Sequence, residues 1–91
     1  MLLTYSITVR GKVQGVFFRQ TTRDKAQELG IRGKVNNQAD GSVAILATGP
    51  RDKLEELLRW CHEGPPRAQV EEVIFYEMAP LEFAGFTVER D

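Results

Sequence analysis

The spacing of the apolar residues switches between two periods along this chain, and the order of the switches leaves few folds open. From Leu3 to Val9 the residues alternate, with Leu3, Tyr5, Ile7 and Val9 on one face and Thr4, Ser6 and Thr8 on the other, a strand with one buried face. Phe18, Thr22, Ala26 and Leu29 then recur at helical spacing, and Gly30 is placed to end a helix over about Phe18 to Leu29. The charged residues Arg23, Asp24, Lys25 and Glu28 fall mainly on its solvent side. Alternation returns in Ile31, Gly33 and Val35 and again in Val43, Ile45 and Ala47, two strands joined as a hairpin around Asp40 and Gly41. Thr48, Gly49 and Pro50 read as a second helix start, since proline suits a first turn. Leu54, Leu57, Leu58 and Cys61 supply the helix's apolar stripe, and Gly64 with Pro65 and Pro66 stops it. A further strand spans about Val70 to Glu77, and Phe86 to Glu89 reads as a short last strand after the loop around Pro80.

Strand, helix, strand, strand, helix, strand is the split βαβ plan of an α+β, ferredoxin-like sandwich, in which two helices cover one face of an antiparallel sheet. Right-handed crossovers put the first strand in the middle of that sheet, so its terminal loop opens beside the hairpin. With 91 residues the chain is expected to form a single domain over residues 1–91, burying roughly 60–70% of its unfolded surface. A net charge of -1 gives no general hold on nucleic acid or an anionic membrane, so any bound anion needs a local site. One cysteine, no Cys/His cluster at metal-ligand spacing, and no long apolar run or leader pattern fit a cytoplasmic monomer without metal or membrane contact.

That local site is most legible in Val9 to Arg19, VRGKVQGVFFR. Gly11 and Gly15 bracket a loop between a strand end and a helix mouth, where unpaired backbone N-H groups and the positive end of a helix dipole form an anion cradle. Arg19 adds a charge-assisted, bidentate-capable donor suited to phosphate oxygens. Spacing alone also allows a tight turn followed by a surface arginine.

The string from Gly11 to Arg19 resembles the acylphosphatase motif Gly-x-Val-Gln-Gly-Val-x-Phe-Arg at every defined position. A second segment, Gly33-Lys34-Val35-Asn36-Asn37 with Asp40-Gly41 behind it, is similar to the family's Gly-Trp-Val-x-Asn and turn glycine. Read from the residues alone, Asn36 and Asn37 are ordinary turn formers. The resemblance puts the family's catalytic asparagine on Asn37, with Asn36 its neighbour, and Lys34 departs from the usual tryptophan. The segment from Gly64 to Val73 and the end from Phe86 to Arg90 also resemble family patterns, so the likeness covers essentially the whole chain. It implies the strand order 4-1-3-2 and the activity of an acylphosphatase without cofactor. Arg19 and Asn37 would then be catalytic, and the backbone of Gln14, Gly15, Val16, Phe17 and Phe18 would hold the substrate phosphoryl group. His62, Cys61 and Trp60 read as helix-end and core residues, and Glu55, Glu56, Glu71 and Glu72 as solvated faces. Two other classes fit a domain of this plan: a phosphate sensor that keeps the cradle without turnover, which Lys34 keeps open, and an RNA binder. The polar face of the first strand offers an RNA base only Thr4, Ser6 and Thr8.

Overall fold

The computed structural model describes residues 1–90. In chain order the elements are β1 (Leu2–Lys12), α1 (Phe18–Glu28), β2 (Arg32–Asn37), β3 (Val43–Pro50), α2 (Arg51–Glu63), β4 (Gln69–Met78) and β5 (Phe86–Val88). They form one five-stranded sheet in the order β4-β1-β3-β2-β5. The ferredoxin-like plan and the 4-1-3-2 order are as expected. The short last strand extends the sheet beyond β2, to which it pairs in parallel, Gly33 opposite Phe86 and Val35 opposite Val88.

The alternation in β1 works as its sequence implies. Tyr5, Ile7 and Val9 are buried on the helix-covered face, where Ile45, Ala47 and Val35 meet them from β3 and β2. Phe18 and Ala26 of α1 and Leu54, Leu57 and Cys61 of α2 complete this core. The Phe18 and Trp60 rings, 5.4 Å apart, join the two helices. The end of α1 follows from its glycine: Gly30 N-H bonds the Gln27 carbonyl and Ile31 N-H that of Ala26, the paired bonds of a Schellman ending.

Three expectations change, the first two because sheet pairing outweighs the local signal. Thr48 and Gly49 belong to β3, and Pro50 both ends that strand and serves as N-cap of α2; the three pair with Thr4, Leu3 and Leu2 of a first strand that begins one residue earlier than its alternation shows. At its other end β1 continues to Lys12 through a bulge at Arg10 and Gly11. Gly11 has φ 129°, and a Cβ there would run into the Gln69 carbonyl of β4, so the bend toward the following loop requires glycine. Lastly, Thr4 is fully buried on the helix-free face. β4 and β5 lie at opposite edges, so the connection between them has to cross the sheet. Leu81 docks there, its N-H donating to Thr4 Oγ1 (2.8 Å) and its carbonyl accepting from Thr48 Oγ1 (2.9 Å), while the two hydroxyls share a bond of 2.6 Å.

Candidate active site

The loop after β1 is fixed by its own side chains. Val13 and Val16 are buried, and Gln14 reaches across to the β2–β3 hairpin, where its Nε2 donates to the carbonyls of Gln38 (2.8 Å) and Ser42 (2.9 Å). Both amide hydrogens of Gln14 are thereby spent on the segment that follows Asn37. The hairpin is itself braced: Asp40 Oδ1 accepts from the Ser42 hydroxyl (2.6 Å) and backbone N-H (2.9 Å), and these bonds hold the Asp40 carboxyl below its usual pKa. Gly15, at φ 75°, turns the chain between the two valine anchors.

Phe17 ends the loop in the left-handed region, φ 65° and ψ 25°, and serves as N-cap of α1 without a side-chain capping bond. No acidic residue stands in the first turn of α1. The first N-H groups of that helix therefore lack helical partners, and the dipole is not neutralised at its positive end.

These pieces surround a cavity of about 300 Å³. Its wall includes Gly15, Phe17, Phe18 and Arg19 from the loop and helix, Asn37 from the end of β2, and Val88 and Arg90 from the C-terminal segment. The only charged lining residues among those described are the two arginines. Arg19 is held from below: its Nη1 donates to the Glu89 carbonyl (2.9 Å), and Glu89 N-H in turn donates to the Val35 carbonyl of β2 (2.8 Å). The remaining guanidinium donors stay available to a ligand. Asn37 lines the same cavity. Its Oδ1 is buried and accepts no hydrogen bond from the protein, a rare state for such an atom and one that a bound water or ligand donor would relieve. Asn36, one residue earlier and so on the other face, spends its Nδ2 on the Asn37 carbonyl (3.3 Å).

Of the seven residues singled out in the sequence, Gly15, Phe17, Phe18, Arg19 and Asn37 border the cavity, whereas Gln14 and Val16 brace the loop behind it. Lys34, the departure from the family pattern, forms an ion pair with Glu89 (3.2 Å) on the helix-free face, and the β2–β3 ladder continues past it to Asn37 opposite Val43. Sequence reading missed Val13, Gln20, Val88, Arg90 and the Glu89 carbonyl as parts of the site. The matching string at the chain's end is a signal for Val88, Glu89 and Arg90, but only the parallel docking of β5 brings it to the loop.

A ferredoxin-like sandwich whose β1–α1 loop and arginine line one small cavity defines a class of compact phosphate-handling domains. Comparison with known proteins narrows the class. The acylphosphatase family model matches residues 5–88. The chain is 45% identical over 89 residues to an acylphosphatase of Trichormus variabilis, covering 98% of this chain and 88% of that one. Its fold superposes on an acylphosphatase structure from Coxiella burnetii with a TM-score of 0.94 at 42% identity, covering 97% of this chain and 93% of the other. The acylphosphatase structure from Bacillus subtilis gives 0.93 at 35% identity, covering 99% and 100%. The chain belongs to the acylphosphatase family.

Proposed function

We propose that the protein hydrolyses the carboxyl-phosphate bond of acyl phosphates without a metal ion, with Arg19 and Asn37 as its catalytic residues. The observation that carries this reading is one cavity lined by Arg19, by the open N-terminus of α1 and by Asn37, whose buried Oδ1 has no hydrogen-bond partner in the protein. The phosphoryl oxygens lie against the free guanidinium donors of Arg19 and the backbone N-H groups of Gln14 to Phe18, which disperse charge as the P-O bond loosens. Asn37 Oδ1 accepts a hydrogen bond from a water molecule and holds it in line with the departing carboxylate.

No general acid is needed, because a carboxylate leaves with a pKa near the roughly 4 of an Asp or Glu side chain. An amide is too weak a base to deprotonate water. The water oxygen bonds to phosphorus, the bond to the carboxylate oxygen breaks, and both water protons end on phosphate oxygens. One acyl phosphate and one water thus give a carboxylate and dihydrogen phosphate. We place this chemistry in a cytoplasmic monomer acting on a small molecule, a setting that suits the single, buried Cys61.

Hydrolysis of benzoyl phosphate, followed with and without a strong chelator, tests the reading. Turnover should resist the chelator and disappear in Arg19→Ala together with phosphate binding. Asn37→Ala should lose about 100-fold or more in kcat while still binding inorganic phosphate. Full activity in Asn37→Ala would remove the water-positioning role.

A further inference from the structure

Phe17 combines two unfavourable features that the fold does not need. It is the only non-glycine residue with positive φ among those described, a conformation in which the Cβ of an L residue crowds its own backbone. The residue is also 68% exposed, whereas the adjacent Phe18 is 1% exposed and packed on Trp60. A glycine or asparagine at this turn would ease the backbone and leave no apolar ring in water. Packing therefore does not explain the phenylalanine. Position does, since Phe17 stands in the wall of the cavity with Arg19 and Asn37, and Val88 adds a second apolar surface to that wall.

An acyl phosphate has two chemically distinct ends. The phosphoryl end is met by Arg19, the loop N-H groups and Asn37, and this leaves the acyl end to the apolar part of the wall. We infer that the Phe17 ring is the platform for the acyl group and that it sets a preference for acyl phosphates with aromatic or extended apolar acyl groups over acetyl phosphate. The inference rests on the proposed hydrolysis of acyl phosphates at this site and adds the class of acyl group. A flat apolar acyl group covers the exposed ring on binding, while an acetyl group is too small to reach much of it.

The test is kcat/KM for benzoyl phosphate and for acetyl phosphate, in the wild-type protein and in Phe17→Asn and Phe17→Tyr. Asparagine tolerates the left-handed backbone, so the loop keeps its course while the ring is removed. The ratio of benzoyl to acetyl kcat/KM should fall about tenfold in Phe17→Asn, mainly through KM for benzoyl phosphate. Phe17→Tyr, which keeps the ring, should hold the wild-type ratio. A ratio unchanged in Phe17→Asn, or changed equally in both variants, overturns the inference. If the wild-type protein hydrolyses neither substrate, the underlying reading falls and takes this one with it; if it hydrolyses both and the ratio ignores the ring, only the acyl platform falls.

Discussion

The Cys61 thiol is fully enclosed by the core, and burial alone pushes its pKa from 9.0 to about 12. Between those values the unfolded chain gives up the proton that the folded chain keeps. The stabilisation from this group is therefore fully present below about pH 9 and is lost as pH rises toward 12, by up to ~1.4 kcal/mol per pH unit. The thermal midpoint of the wild-type protein should fall more steeply from pH 8.5 to 10.5 than that of Cys61→Ala. Parallel curves would show that another group governs alkaline unfolding. At Arg19 the decisive property is the planar fork, since one arm is spent on the Glu89 carbonyl while the others face the cavity. A lysine ammonium keeps the charge but cannot serve both directions. Arg19→Lys should accordingly lose about 100-fold or more in kcat/KM for benzoyl phosphate, and near-native turnover would mean that charge alone suffices.

Two elements are tied to the site by single side chains of very different worth. Gln14 links the β1–α1 loop to the hairpin through two bonds in a partly buried setting, so Gln14→Ala removes both cross-links while the Gln38 and Ser42 carbonyls keep their hairpin bonds from Gly41 N-H and Gln38 N-H. Urea denaturation should show a loss of about 1–3 kcal/mol, accompanied by reduced turnover as the loop and Asn37 lose their common brace. The Lys34–Glu89 pair is 40% and 49% exposed, and pairs of that kind contribute little. Lys34→Met should stay within about 1 kcal/mol and keep most of the activity, which would rule out the pair as a necessary support for Arg19. The same contrast explains what the sequence makes legible. Period and glycine placement located α1, the hairpin and the end of α2, because those signals are local. The Thr48–Pro50 strand end, the burial of Thr4 under Leu81 and the parallel seat of β5 depend on partners more than thirty residues away, and no local pattern encodes them. Arg19 and Asn37 were legible through their motifs, whereas the Glu89 carbonyl that holds Arg19 is backbone and carries no residue signature.

At the scale of the molecule, the cavity is assembled from the beginning, middle and end of the chain: the β1–α1 loop, Asn37 and the segment after Phe86. None of these stretches can form the site without the sheet that aligns them, so an anion that binds there binds the folded state and not the unfolded chain. Inorganic phosphate, a product of the proposed reaction, should therefore stabilise the whole fold by mass action, by about 2.7 kcal/mol when present at 100 times its dissociation constant. For a domain of this size that corresponds to a rise of roughly 10 °C or more in the thermal midpoint. Sulfate, with similar tetrahedral oxygens, should act in the same direction, and chloride at equal ionic strength should not, because the overall charge of -1 gives general screening little to act on. Arg19→Ala should remove the phosphate effect, while Asn37→Ala should retain it, since the role proposed for the Asn37 amide is to hold the attacking water and not the phosphoryl oxygens. An equal rise in both variants would place the bound phosphate elsewhere, and its loss in Asn37→Ala would make Asn37 a phosphate ligand in place of a water-positioning residue.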